Sequence, residues 1–315
     1  MAIGRYFLRL VDLLPEPSPR AQRITAALVV ATQALIAVTG VIVRVTASGL
    51  GCPTWPQCFP GSFVPVPHAE VAALHQAVEF GNRMMTFLVV LTAAAAVLVL
   101  TRARRRREVL VYAWLMPAST VLQAVIGGIT VLTGLLWWTV AVHLLVSMAM
   151  VWLAAVLFVK VGQPDDGVPR RQIPAPLRAL TAVSGGVLAA VLVTGTLVTA
   201  AGPHAGDKSI ERPVARLEVD ITTLVHLHGA LLICYLSLLV ALGFGLAAVS
   251  APRPVQLRAG VLAALVALQG VVGIVQFEIG VPAVLVAVHV ALAAAITAGT
   301  AALWAVGMTR VPVEA

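Results

Sequence analysis

Long apolar runs alternate with short polar segments along the whole chain. Eight of these runs reach the roughly 20 residues that a helix needs to cross a membrane. They lie at residues 24–46, 72–100, 109–131, 138–160, 177–200, 221–249, 257–277 and 284–306. The pattern predicts an all-α, polytopic membrane protein with eight transmembrane helices.

The composition agrees with this class. Hydrophobic residues make up 60% of the 315 residues and charged residues 11%, whereas soluble domains carry roughly 25% charged residues. The formal net charge is +8. The arginines lie in short segments between the apolar runs, as topology signals do. We therefore expect membrane lipid around the chain and no nucleic acid as a partner.

Lysine and arginine divide the loops into two classes. They are concentrated in the N-terminal tail, between the second and third runs and in the central linker, and they are absent from 47–70 and 132–137. The loop before the sixth run has Lys208, Arg212 and Arg216, balanced by four carboxylates. The positive-inside rule therefore places both termini in the cytoplasm.

The two halves of the chain resemble each other. Residues 123–145 align without gaps to residues 269–291 at an offset of 146, and the same offset carries Asn82 onto His228. The aligned pairs are Gln123 with Gln269, Gly127 with Gly273, Gly134 with Gly280 and His143 with His289. The sequence Val-Thr-Gly also recurs, at 38–40 and 193–195, with a different offset.

This repeat predicts the domain organisation. A first four-helix half spans residues 1–162, a polar, Pro-rich cytoplasmic linker spans 163–176, and a second four-helix half spans 177–315. Four spans is an even number, so the halves run parallel in the membrane and form two pseudo-symmetric four-helix bundles.

A polar cluster opens the second apolar run. His75, Glu79 and Asn82 follow an i, i+4, i+7 spacing that places them on one helix face, and Arg83 is adjacent. Ionisable side chains inside a span are costly and by default indicate a functional site. Glu79 is a candidate for catalytic proton handling. Its structural alternative is a charge pair with Arg83 that only shapes a pocket.

Histidines recur at a similar depth near the outer ends of the even-numbered spans. Imidazole is a common axial ligand of haem, and facing helices of a bundle supply such ligands. We expect His228 and His289 to hold one haem, and His143 to form an altered site with His75 or with the incomplete position at Asn82. The alternatives are hydrogen bonds between helices, or a dinuclear metal site, which the lack of intramembrane carboxylates in the second half disfavours.

Three other positions leave their roles open. Cys52 and Cys58 lie in a Pro- and Gly-rich outer loop, where a structural or redox-active disulfide is expected; a thiol pair that cycles with substrate is the alternative, and a two-thiol metal site is weak. His226 points to a different face from His228 but stays an alternative ligand.

These features resemble the haem A synthase family of membrane proteins, which act in cytochrome oxidase maturation. The resemblance rests on Gly-Leu-Gly-Cys-Pro-Thr-Trp-Pro-Gln-Cys at 49–58, on the Glu-x-x-(His/Asn)-Arg element at Glu79–Arg83, on the three histidines and on the paired halves. It covers almost all of the chain.

The resemblance implies a function. In this family the C-terminal half binds a haem b cofactor through two histidines, which match His228 and His289. The N-terminal half is the site of the substrate, haem O, and the reaction oxidises a methyl group of haem O to a formyl group. The outer-loop cysteines are associated with disulfide chemistry. The implied setting is the cell membrane, with the haem sites toward its outer face.

The implied partners are haem O, haem O synthase, cytochrome oxidase assembly factors and an electron donor that the sequence does not identify. Two other classes of function stay open. One is a di-haem b-type electron carrier, which would want two histidines at both sites. The other is a haem-handling or transport protein.

The chain departs from the family pattern at one position. The usual histidine of the Glu-x-x-His-Arg element is Asn82 here, and an amide oxygen is a weak iron ligand. We hypothesise that His75, or no residue, replaces it. Arg83 and Arg44 are candidates for pairing with a haem propionate, although Arg44 can equally be an arginine that reaches the membrane interface.

Overall fold

The computed structural model describes residues 2–208 and 213–311, with side chains from residue 6 onward. Arg212 therefore lies outside the described residues. Within this part of the chain there are nine helices and two short strands. They are α1 Ala2–Asp12, α2 Pro19–Val45, α3 Ala73–Arg102, α4 Arg107–Leu132, α5 Trp137–Val161, β1 Val168–Arg171, α6 Ala175–Ala201, α7 Ile221–Ala248, α8 Arg253–Glu278, α9 Ala283–Val306 and β2 Met308–Val311.

Helices α2 to α9 are each long and apolar enough to cross a membrane, which confirms the eight predicted spans and the all-α class. The largest difference in a boundary is at α2, predicted from residue 24 and observed from Pro19. The hydroxyl of Ser18 accepts a hydrogen bond from the Ala21 amide, and proline suits the first helical position. Local capping therefore extends the helix beyond its apolar run.

The packing of the helices follows the repeat. Helix α2 packs on α3 and α5, and α6 packs on α7 and α9 in the same way. Across the two halves, α2 packs on α9, α5 packs on α6, and α5 packs on α9. Helices α2, α5, α6 and α9 therefore form the centre, and among α2 to α9 every helix contact within one half has a counterpart in the other.

The most buried apolar side chains lie toward the end of the bundle that is predicted to be cytoplasmic. In the first half they include Ala96, Leu100 and Leu157, and in the second half Leu239 and Leu246. The histidines lie toward the opposite end, which carries the cysteine loop and is called the outer end below. The apolar core thus lies on the cytoplasmic side of the histidines and not on their outer side.

A set of polar contacts at the cytoplasmic end, formed by two short strands and by Arg105, was not predicted. Strand β1 of the linker pairs antiparallel with β2 at the end of the chain. Arg105 donates to the Asp165 carboxylate at 2.8 Å and to the Val161 carbonyl at 2.9 Å. The linker is therefore tied to both halves. Helix α1 was also not predicted, because its short run has no membrane-span signal.

Candidate functional site: a histidine layer near the outer end

Two imidazoles face each other in the second half. The ring centroids of His228 on α7 and His289 on α9 are 6.3 Å apart, with 46° between the ring planes. His228 Nδ1 lies 3.0 Å from the Val191 carbonyl and 3.2 Å from Thr194 Oγ1. A carbonyl only accepts, so Nδ1 carries the proton and Nε2 keeps its lone pair. Metal-binding histidines are oriented in this way.

Glycines allow helices to approach these rings closely. A Cβ added at Gly195 would lie 3.1 Å from His228 Cε1, and one added at Gly273 would lie 3.2 Å from His289 Cε1. Both distances are tighter than ordinary van der Waals contact. Gln269 Nε2 also donates to the His289 carbonyl at 3.0 Å, which links α8 to α9.

The first half repeats this arrangement around His143. A Cβ at Gly127 would lie 3.3 Å from His143 Cε1. Gln123 Nε2 donates to the His143 carbonyl at 3.2 Å, as its counterpart does in the second half. The gap-free alignment of residues 123–145 with 269–291 therefore corresponds to matching contacts in space.

Asn82 occupies the position of an imidazole. Thr39 Oγ1 donates to Asn82 Oδ1 at 2.8 Å, and the equivalent second-half pair is Thr194 with His228. A Cβ added at Gly40 would have no neighbour within 4 Å. The first half therefore keeps the threonine and the glycine of the repeat but leaves open space beside Gly40.

His75 lies nearer the outer end than the other candidates. It is two residues into α3, whereas His143 is six residues into α5 and His289 six into α9. Seven residues separate His75 from Asn82, which corresponds to about 10 Å along a helix. His75 Nδ1 is 2.9 Å from Ser48 Oγ. Asn82, and not His75, therefore has the threonine contact that His228 has in the second half.

Arg83 joins Glu79 to the outer loop. Its Nε donates to Glu79 Oε1 at 3.1 Å, and the Glu79 side chain is buried. Its two terminal nitrogens donate to three loop carbonyls, those of Gln57, Cys52 and Thr54, at 3.2, 2.9 and 3.0 Å. Every nitrogen of this guanidinium is in use, so Arg83 holds the loop over the carboxylate.

The loop is closed and covers the first-half site. Cys52 and Cys58 form a disulfide, which confirms the predicted pairing, and both residues are fully buried. Between them, the Trp55 ring packs against α4, where a Cβ at Gly128 would be 2.6 Å from the ring. Gly128 adjoins Gly127, which contacts His143. Sequence reasoning missed Trp55; the available signal was the adjacent pair Gly127 and Gly128, which leaves room for a ring beside α4.

The remaining candidates lie outside this layer. His226 is exposed and faces away from His228. Arg44 crosses to the second half, where its guanidinium donates to the Thr199 carbonyl on α6 at 3.2 Å. Arg44 and Arg83 both belong to the first half, but Arg44 donates to a carbonyl of α6 and Arg83 to carbonyls of the outer loop, although the sequence suggested the same role for both.

Comparison with known proteins places the sequence in a family. The model of the COX15-CtaA family, described as cytochrome oxidase assembly protein, matches residues 23–301. The chain belongs to this family. The match covers most of the chain and reaches into all eight membrane-crossing helices, and it confirms the resemblance to the haem A synthase family.

Three curated relatives of the chain are named heme A synthase. The one from Geobacillus thermodenitrificans is 29% identical over 125 residues, 39% of this chain and 35% of the relative. The one from Lysinibacillus sphaericus is 29% identical over 116 residues, 36% of each chain. The one from Geobacillus kaustophilus is 30% identical over 125 residues, 39% of this chain and 35% of the relative. The match thus spans about a third of each relative's length.

Proposed function

We propose that the chain is a membrane oxidoreductase that converts haem O to haem A by oxidising a methyl group to a formyl group. In this proposal, a haem b cofactor lies in the second half and the substrate haem in the first. The observation that carries it is the contrast between the two halves. One half presents two imidazoles at matched depth, whereas the equivalent site in the other half has one imidazole and Asn82.

The second-half pair suits a haem. His228 and His289 would hold one iron between their rings if the centroids were about 6 Å apart, which is twice the sum of a metal–nitrogen bond of about 2 Å and about 1 Å from nitrogen to ring centre. The observed 6.3 Å between His228 and His289 agrees with that spacing. The hydrogen bonds to His228 Nδ1 leave Nε2 as the nitrogen for iron. Haem b held in this way supplies electron transfer and not oxygen binding.

The first half suits a haem that enters and leaves. His143 provides one strong axial ligand, and Asn82 provides a weak one at most. We assign His75 to the outer edge of this site, where it contacts Ser48, because it lies about two helical turns outward of Asn82. One strong ligand holds the substrate in place without making its release slow.

Glu79 is the residue that we assign to proton handling. Arg83 occupies its Oε1, so Oε2 is the atom that takes up or gives up a proton. Arg83 fixes the carboxylate and, through three carbonyls, the Cys52–Cys58 loop. Trp55 in that loop excludes water from the side of Gly128. These residues enclose the place where the methyl group reacts.

The proposed membrane topology follows from the distribution of Lys and Arg among the loops and from the family. The protein spans the cell membrane eight times with both termini in the cytoplasm, and its haem layer lies toward the outer face. Haem O synthase supplies the substrate, and cytochrome oxidase assembly factors receive the product. The methyl-to-formyl step removes four electrons and adds one oxygen atom, so it also needs an oxidant and a source of oxygen, with the electron donor serving where that oxidant is O2.

Haem analysis of the purified full-length chain tests the proposed function. We expect pyridine haemochrome spectra and chromatography to show haem B together with traces of haem O or haem A, and added haem O to be converted to haem A. Haem B at both sites, each with the spectrum of two histidine ligands, would instead favour the di-haem electron carrier.

Gly195→Ala tests the packing around the cofactor site. Because the new Cβ would lie 3.1 Å from His228 Cε1, the imidazole has to shift, and changes beside a metal ligand typically weaken binding about 10- to 100-fold. We expect haem b to dissociate at least about tenfold faster, measured by transfer to excess apomyoglobin.

Gly40→Ala is the matched control, because its Cβ meets open space at the equivalent place in the first half. Alanine is favoured over glycine inside a helix by about 1 kcal/mol, so this variant should keep its haem b and unfold no earlier. Equal haem loss in both variants would contradict the assignment of His228.

A further inference from the structure

Two arginines from different halves meet at the outer end of α6. Arg44, near the end of α2, donates to the Thr199 carbonyl at 3.2 Å, and Arg216, in the loop before α7, reaches the same oxygen at 3.5 Å. Arg216 Nε also donates to the Ala200 carbonyl at 3.1 Å. Two guanidinium groups therefore share one acceptor, so their charges lie close together.

Neither charge is neutralised within residues 2–208 and 213–311, where no carboxylate forms an ion pair with Arg44 or Arg216. Arg44 Nε is buried and, among the described atoms, has no hydrogen-bond partner. Burial lowers the pKa of Arg216, as it does for a cation that has lost water without gaining an anion. A buried charge without a partner is expensive.

The loops around Arg44 hold it in place. The Gly49 amide, just beyond α2, donates to the Gly206 carbonyl beyond α6 at 2.8 Å. Gly206 has φ +102°, which favours glycine, and a Cβ there would lie 3.8 Å from Arg44 Cγ. The backbone thus joins the two halves where Arg44 crosses between them, and the guanidinium is preorganised.

The pair lies one turn beyond the cofactor position. Thr199 Oγ1 donates to the Gly195 carbonyl at 2.9 Å, and Gly195 is the glycine that contacts His228. Because α6 runs toward the outer end, the guanidinium groups lie about 6 Å outward of Gly195 along the helix axis. A porphyrin carries its two propionates on one edge, and that edge favours the aqueous side.

We propose that Arg44 and Arg216 form a carboxylate site that binds the propionates of the second-half haem. The inference rests on the proposed function, and it assigns Arg44 of the first half to the cofactor and not to the substrate. Arginine suits this role because its planar fork binds carboxylates with two hydrogen bonds. The cofactor would then also fasten the two halves together.

The test compares full-length Arg44→Gln and Arg216→Gln with Lys208→Gln, which removes an equal charge from an exposed position in the same loop. We expect each arginine variant to release haem b at least about tenfold faster, because a contact to a propionate is lost. The midpoint potential of haem b should also fall, because removing a nearby positive charge stabilises the ferric state. Lys208→Gln should match the wild type in both measurements.

A second measurement needs no substitution. We expect the wild-type chain to bind haem dimethyl ester, in which the propionates are esterified, at least about tenfold more weakly than haem, and the arginine variants to discriminate less. Equal binding of acid and ester by the wild type, or unchanged haem release in both variants, would overturn this site. A wild type without any haem b would overturn the proposed cofactor as well.

Discussion

Replacing His228 or His289 with alanine is expected to remove the bound haem b. The two rings are the only pair of histidine rings in contact among the described residues, and each of the two histidines is held by a glycine and by a hydrogen bond to the preceding helix. Loss of a residue that hydrogen-bonds a metal ligand typically lowers metal affinity about 10- to 100-fold. Loss of the ligand itself should therefore cost more than about 100-fold.

The measurement is haem per chain by pyridine haemochrome, together with the low-spin signal in electron paramagnetic resonance. Both alanine variants should lose the signal of two histidine ligands. His226→Ala is the matched control, because His226 is only two residues from His228 but is exposed. If His226→Ala lost the haem and His228→Ala kept it, the ligand in α7 would have been assigned to the wrong residue.

Stability separates a lost ligand from a damaged fold. His228 and His289 lie outward of the apolar core formed by residues such as Tyr235 and Leu239. We expect the alanine variants to remain monodisperse in detergent with an intact Cys52–Cys58 disulfide. The lost haem would then reflect the missing ligand and not unfolding.

The sequence predicted the parts of this protein that repeat. Apolar runs of about 20 residues gave the eight spans, because lipid requires every backbone polar group of a span to be paired within a helix. The gap-free offset of 146 residues predicted the equivalence of His143 with His289 and of Asn82 with His228. Both pairs have matching contacts in the structure.

Contacts between side chains and distant carbonyls could not be predicted in this way. Arg83 binds three carbonyls of a loop that has no regular period, and Arg216 meets Arg44 only because two loops are joined through Gly49 and Gly206. Strands β1 and β2 are short and lie far apart in the chain. Hydropathy records burial in lipid, and it carries no information about which carbonyl an arginine reaches.

His75 shows the limit of spacing arguments. Its i, i+7 relation to Asn82 places both on one helix face, which made it a candidate to replace the missing ligand. In the structure both residues belong to the single helix α3, so they are about 10 Å apart along its axis. A shared face therefore does not by itself give a shared site, and we predict that the first half has no second strong ligand.

Asn82→His is expected to restore a pair of imidazoles in the first half. The Asn82 side chain is in the place of the His228 ring, bonded to Thr39 as His228 is to Thr194. Space beside Gly40 is open where Gly195 contacts a ring. The new imidazole can therefore take the orientation seen in the second half and face His143.

The expected result is tighter binding of the first-half haem. Imidazole is a much stronger donor to iron than an amide, so we expect affinity for haem O to rise at least about tenfold, equivalent to about 1.4 kcal/mol. A second low-spin signal with two histidine ligands should appear beside that of haem b. Slower release of haem from the first half should accompany it, measured by transfer to excess apomyoglobin.

Two controls make this result specific to the ligand. Asn82→Ala removes the Thr39 hydrogen bond without adding an imidazole, so it should bind haem O no more tightly than the wild type. Adding Gly40→Val to Asn82→His fills the open space beside the new ring and should cancel the gain. If Asn82→His leaves both the affinity for haem O and the low-spin signal unchanged, residue 82 does not face the iron, and the weak position opposite His143 must lie elsewhere.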